Sequence, residues 1–252
     1  MLAPVNAPLR LLLLPGLDGT GALFEPFLSA LSGDVAPEVV SYPADRALDY
    51  DALEAMVAER LPADGPYALL GESFSGPLAL RLACRRPGGL VGVVLVATFV
   101  RNPVWLVPSL ARHLVGPWLF RRRAPELVSR RYLVGARASA DWLERVAANV
   151  ETVDPAVMAA RVREVLSVDA RALLQRCAVP LLYLAAAGDA LVPPRVLRDL
   201  CRMRPDLERV TVDAPHLVLQ LAPEASARAI EGFLRRAAAR PGSAAPDRPG
   251  DP

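Results

Sequence analysis

The 252-residue sequence contains no lysine; all 29 of its basic residues are arginine. That excludes a P-loop lysine, a Schiff-base lysine and ordinary pyridoxal-phosphate chemistry. Histidine is nearly absent too, with only His113 and His216, so a multi-histidine metal site cannot be built. The three cysteines, Cys84, Cys177 and Cys201, are far apart and include no CxxC pair. Such a set argues against a disulfide framework or a thiolate zinc site, and predicts buried or partly buried thiols in a reducing compartment. No apolar run reaches the ~20 residues of a membrane-spanning helix. The run at 11–14 is too short for a signal peptide and is broken by Pro15 and Gly16. The expectation is a soluble cytoplasmic protein. Neither charge sign dominates, with 29 basic against 27 acidic residues, which excludes a protein built mainly to coat nucleic acid.

What is present is apolar. Hydrophobic residues make up 53% and charged residues 22%, enough to bury a large core and to exclude bulk disorder. Short apolar runs at 9–14, 35–42, 67–70 and 91–97 read as strands. Between them lie helical stripes around Leu23–Leu31, Leu48–Leu61 and 74–85. Near-continuous apolar strands alternating with helices predict a doubly wound α/β fold, a mostly parallel sheet covered on both faces. From 101 to 167 the alternation stops. Helical patterns punctuated by proline predict a helical cap inserted into the sheet domain. Alternation then resumes: helix 169–177, strand 181–186, helix 195–203, strand 209–212 and helix 220–239. The expected organisation is a core of 1–100 and 168–240, a cap of 101–167 and a disordered tail of 241–252 rich in Pro, Gly, Ser, Asp and Arg.

The chemistry concentrates in Gly71-Glu72-Ser73-Phe74-Ser75-Gly76, after an apolar strand and before an apolar helix. That is the context of a nucleophile elbow, where a sharp turn exposes a serine hydroxyl and the residues two before and two after must be small. Ser75 stands where glycine is commoner, and Pro77 suits the first helical turn. A serine nucleophile needs a base and an orienting acid. His216 follows the strand at 209–212, beyond its carboxyl end, where doubly wound sheets place their sites. His113 falls in the cap, as an ordinary polar position. Asp189 directly follows the strand at 181–186, giving the order Ser73, Asp189, His216; Asp213 is the rival acid and reads as a turn residue. The loop Pro15-Gly16-Leu17-Asp18-Gly19-Thr20-Gly21 follows the first strand. Its spacing is not that of a dinucleotide loop. Its glycines suit an oxyanion loop, with N–H groups of Leu17 and Phe74 as donors. Asp18 either orders this loop or touches substrate.

On these segments the chain resembles the α/β-hydrolase superfamily, in particular its carboxylesterase and lipase-like members. The loop at 15–21 is similar to that of plastid esterase/acyltransferases that move fatty acyl groups onto phytol. The resemblance implies a sheet of about six strands and a serine hydrolase acting on a carboxylic ester or thioester through an acyl-enzyme, with no metal or cofactor. An acyltransferase using the same triad, a lyase or perhydrolase on that triad, and a ligand-binding protein on a hydrolase scaffold remain alternatives. In the cap, Trp105 and Trp118 are candidates to line a substrate pocket, with Leu106, Val107, Leu119 and Phe120 beside them. Arginines 101, 112, 121–123, 130, 131 and 137 face only Glu126. They make either a solvated surface or a dock for an anionic acyl carrier. No nucleic-acid partner is expected.

Overall fold

The computed structural model describes residues 8–104, 107, 109–136 and 138–240. The expected tail at 241–252 and Trp105 lie outside them. Six strands form one parallel sheet in the order β2-β1-β3-β4-β5-β6. They are β1 Leu9–Leu14, β2 Val35–Val39, β3 Tyr67–Glu72, β4 Leu90–Val96, β5 Leu181–Ala186 and β6 Glu208–Val212. The central strands are almost entirely apolar, Arg10 of β1 and Glu72 of β3 excepted, because both faces are covered. Leu12, Leu14 and Leu69 pack with helices α2 (Tyr50–Ala58) and α3 (Gly76–Cys84). Leu11, Leu13 and Leu70 pack on the other face with Phe27 of a short helix, Glu25–Ala30, here α1.

The sequence reading of the sheet domain needs two changes. The helix expected at 220–239 is two helices, Val218–Leu221 and Pro223–Ala238. Pro223 has no N–H to continue the first, so it opens the second at its N1 position. The strand expected at 35–42 ends at Val39, because Tyr42 N–H leaves the ladder to donate to Gly19 O at 2.7 Å.

Between β4 and β5 the chain is helical, with no strand among the described residues. After short 3-10 turns come α4 (Glu126–Ser129), a π-helical turn Arg130–Val134, α5 (Ala140–Glu151) and α6 (Pro155–Ser167). Asp154 and Ser139 cap α6 and α5 through their side chains. An antiparallel bridge between Arg101 and Asp169 pins the two ends of this insertion together. Helices α7 (Arg171–Arg176), α8 (Pro194–Met203), α9 (Val218–Leu221) and α10 (Pro223–Ala238) complete the wound sheet.

The direction of winding reverses between β1 and β3, since β2 lies to one side and β4 to the other. Ligands of open α/β sheets bind at that crevice, beyond the carboxyl ends of the strands. The loop at 15–21 and the turn at Ser73 both leave the sheet there, with Leu14 in register with Gly71.

Candidate active site

Ser73 has φ of 48°, a left-handed backbone that a non-glycine residue adopts only where the surroundings enforce it. Three bonds do so. Thr98 Oγ1 donates to Ser73 O. Tyr50 OH donates to Phe74 O at 2.7 Å. Ser75 Oγ donates to Pro15 O, and because its one proton is spent there, Tyr42 OH must donate to Ser75 Oγ, at 2.6 Å. Burial pushes the Tyr42 hydroxyl far above its ordinary range, which keeps that proton in place. Serine at position 75 thus ties the elbow to the start of the loop at 15–21, a bond glycine could not make. Gly71 is obligatory for a steric reason: a Cβ there would lie 2.6 Å from Ser75 O. Gly71→Ala should therefore cost about 1–3 kcal/mol. That corresponds to a melting temperature lower by about 2–4 °C per kcal/mol. Gly33, with nothing within 4 Å of an added Cβ, should accept alanine without change.

His216 Nε2 lies 3.0 Å from Ser73 Oγ. Its Nδ1 lies 2.7 Å from Asp189 Oδ2. The other carboxylate oxygen of Asp189 accepts the N–H groups of Leu191 and Val192 at 2.8 and 2.7 Å. Asp189 and His216 are both buried. Their loops are joined beyond the sheet by Ala187 N–H to Val212 O and Gly188 N–H to Ala214 O. The β5–β6 pairing thus continues into the site and brings together residues 27 apart in sequence. Asp213 and His113 are exposed, and neither reaches Ser73.

Ser73 and His216 open into a cavity of about 310 Å³. Leu17, Leu23, Leu119, Phe120, Val146 and Met158 supply apolar walls, and Arg121 and Arg122 also line it. Trp118 does not: it is 63% exposed and lies against Gly116, so the smaller Leu119 and Phe120 take the wall expected of it. Leu17 and Phe74 sit on the two loops that flank Ser73, and Leu17 lines the cavity. Asp18 lines it as well, but Asp18 Oδ2 accepts from Thr20 N–H at 2.9 Å and from Thr20 Oγ1 at 2.6 Å, an ordering role within the loop.

Two charged residues beside the loop escaped sequence reasoning. Arg161, on α6 and 1% exposed, donates to Leu17 O at 3.0 Å, to Asp18 O and to Pro43 O at 2.9 Å. Its signal was a cation on the apolar stripe of Met158, Val162 and Val165. Glu72, last in β3, is 5% exposed. Gln220 Nε2 donates to Glu72 Oε1 at 2.9 Å. Its carboxyl is pushed up to about 7, first by burial and then by the nearby charge of Asp18, against the pull of Gln220, His216 and the Gly16 N–H. Its signal was an ionisable residue in an otherwise apolar strand. No group of three or more His, Cys, Asp or Glu among the described residues is arranged to hold a metal ion. All three cysteines are free thiols, Cys177 buried and the others partly so.

A serine, a histidine and an aspartate hydrogen-bonded in line at the switch point of a doubly wound sheet define an enzyme of the serine-hydrolase type. The chain belongs to the alpha/beta hydrolase family, which it matches over residues 11–229. It is 28% identical to a pimeloyl-(acyl-carrier protein) methyl ester esterase of Nitrosomonas europaea over 171 residues, 59% of this chain and 63% of that one. It is 34% identical to the polyketide synthase ThaQ of Burkholderia thailandensis over 116 residues, 41% of this chain but 6% of that one. The alignments thus span under two thirds of either relative. In fold it is similar to a thermophilic esterase from Thermogutta terrifontis, with a TM-score of 0.73, 22% identity and 92% and 91% of the two chains covered. No helix among the described residues is long and apolar enough to cross a membrane.

Proposed function

We propose that the protein hydrolyses the carboxylic ester or thioester of a small acyl substrate. Ser73 is the nucleophile, His216 the general base and acid, and Asp189 the residue that orients the imidazole. The observation that carries this reading is the unbroken Ser73–His216–Asp189 chain, 3.0 and 2.7 Å, opening into an apolar cavity. Ser73 Oγ bonds to the acyl carbon as its proton passes to His216 Nε2. The carbonyl oxygen, now an oxyanion, is met by the N–H groups of Leu17 and Phe74. As the tetrahedral centre collapses, the bond to the leaving alcohol or thiol breaks and His216 returns the proton to it. Water then attacks the acyl-enzyme by the same steps in reverse order. Neither step needs a metal or cofactor.

The cavity volume of about 310 Å³ lies at the lower end of the range for small-molecule sites, which suits an acyl group of modest length. The cap, spanning 101–167, supplies most of its outer wall. Arg121 and Arg122 form no ion pair among the described residues, whereas Arg123 is held by Glu144 and Glu151. Two unpaired cations at an apolar cavity suit an anionic acyl carrier, and the Nitrosomonas relative is named for such a substrate. Free thiols and the absence of a disulfide among the described residues suit the cytoplasm.

The test is the intact mass of wild type and Ser73→Ala after fluorophosphonate treatment. One adduct on wild type and none on the variant is the expected outcome, followed by turnover in a chain-length series of esters and thioesters. A folded wild type that takes no adduct would replace this reading with a ligand-binding protein on a hydrolase scaffold. Transfer to an added alcohol in preference to water would make it an acyltransferase.

A further inference from the structure

The two buried charges beside the oxyanion loop take no part in the acyl chemistry just described, yet each lies against that loop. Glu72 approaches from the sheet, where its carboxylate accepts the Gln220 amide and lies against the Gly16 backbone, 3.7 Å from where a Cβ on Gly16 would stand. Arg161 approaches from the cap, where it donates to the carbonyls of Leu17 and Asp18. The peptide unit that joins Gly16 to Leu17 carries the Leu17 N–H. Its own carbonyl, Gly16 O, accepts the Gly19 N–H at 3.0 Å, the C=O after it is held by Arg161, and the Glu72 carboxylate lies against the Gly16 backbone before it. Peptide units are planar, so fixing both neighbours leaves this one little rotation.

Among the described residues, neither charge has an opposite charge in direct contact. Arg161 donates to the backbone carbonyls of Leu17, Asp18 and Pro43, and Glu72 accepts the Gln220 amide. A buried ion without a paired counter-ion is expensive, and apolar residues of similar size would be more stable. Violations of that kind concentrate where function requires them. Further contacts give the same direction. Gly19 has φ of 71°, and a Cβ there would lie within 2.5–2.8 Å of the Arg161 guanidinium. The guanidinium also lies 5.7 Å from the centre of the Tyr42 ring, the residue whose hydroxyl supports Ser75.

We propose that Glu72 and Arg161 are positioning residues that clamp the oxyanion loop from its two sides and aim the Leu17 N–H at the developing oxyanion. The proposal rests on the serine-hydrolase reading of Ser73. It makes the cap part of the catalytic apparatus, because half of the clamp belongs to α6. It also makes the loop sensitive to pH. Glu72 faces Asp18 of the loop, His216, Gln220 of α9 and the Gly16 N–H. Protonation would remove the charge that strengthens its bond from Gln220 and its attraction for the Gly16 backbone beside it. Its carboxyl ionises near pH 7. Lowering the pH below neutral therefore loosens the clamp.

The experiment compares wild type, Glu72→Gln, Arg161→Met and Arg161→Lys with one p-nitrophenyl ester from pH 5 to 9. Circular dichroism and melting curves verify that each is folded. A trifluoromethyl ketone, which forms a tetrahedral oxyanion adduct on Ser73, is titrated in parallel. Arg161→Met should lower kcat by about 10²-fold, in the range for loss of an oxyanion donor, with KM within about threefold. Ketone affinity should fall with kcat/KM. Arg161→Lys keeps the charge but cannot span the carbonyls, and should fall between. Wild-type kcat/KM should drop more steeply on the acid side than that of Glu72→Gln, which lacks the carboxyl that ionises there. A folded Arg161→Met with kcat within threefold of wild type, or one that changes KM alone, overturns the proposal. So does an acid limb unchanged in Glu72→Gln, which decides the matter if Arg161→Met does not fold. Wild type that neither turns over ester nor takes fluorophosphonate would instead sink the underlying reading of Ser73.

Discussion

Ser73→Ala should remove essentially all ester turnover, with kcat lower by about 10⁶ when the nucleophile of such a triad is deleted. The size of the effect follows from what the substitution takes away and what it leaves. Only Oγ is lost. The elbow itself is held through backbone atoms, by Thr98 on Ser73 O and Tyr50 on Phe74 O, so its geometry should survive. Residual catalysis by the remaining oxyanion donors and the cavity should amount to roughly 10³–10⁴ over the reaction in water. The neighbouring hydroxyl of Ser75 cannot substitute, because it is fully buried and its proton is committed to Pro15 O. Steady-state hydrolysis, with the melting temperature as a control for folding, checks this. Turnover above about one part in a thousand of wild type, in a preparation free of wild-type contamination, would move the nucleophile away from position 73.

How far the site is legible in the sequence depends on the range of the interaction. Ser73 announces itself locally, as a serine between small residues at a strand-to-helix turn. Asp189 stands just past the end of the apolar strand β5 and His216 beyond the end of β6, and the order along the chain does the rest. Strands β1 and β5 are also readable to their limits, since β5 is an unbroken apolar run and β1 is one but for Arg10, each closed by a turn. Residues 40–42 are not, because Val40 and Tyr42 look like strand whether they pair with β1 or turn to support Gly19. Arg161 lies 144 residues from Leu17, whose carbonyl it holds, and no local pattern encodes that meeting. The same holds for Gln220 and Glu72, 148 residues apart. Trp118 shows the opposite failure. A large aromatic in a cap invites assignment to the cavity, but size gives no direction, and the short turn at Pro117–Leu119 points it outward.

Asp189→Asn should cost on the order of 10⁴ in kcat, the loss expected when a triad imidazole is locked in the wrong tautomer. Both oxygens of Asp189 are acceptors in use. Oδ1 takes the N–H groups of Leu191 and Val192, and Oδ2 takes the proton on His216 Nδ1. Asparagine has one oxygen and one NH₂ group. Turning its oxygen towards His216 would press NH₂ against two backbone donors and leave them unsatisfied in a buried site, at about 1–3 kcal/mol each. Turning the oxygen towards the backbone satisfies both donors and presents NH₂ to Nδ1. The second arrangement wins, so Nδ1 must give up its proton and Nε2 must carry one. A protonated Nε2 facing Ser73 Oγ cannot accept the serine proton. The fold should be nearly unaffected while the base is disabled, a separation that kcat and the melting temperature read independently. Asp213→Asn, at an exposed position, should remain within about twofold of wild type, as surface substitutions generally do. The reverse result, activity lost at 213 and kept at 189, would assign the orienting carboxylate to Asp213.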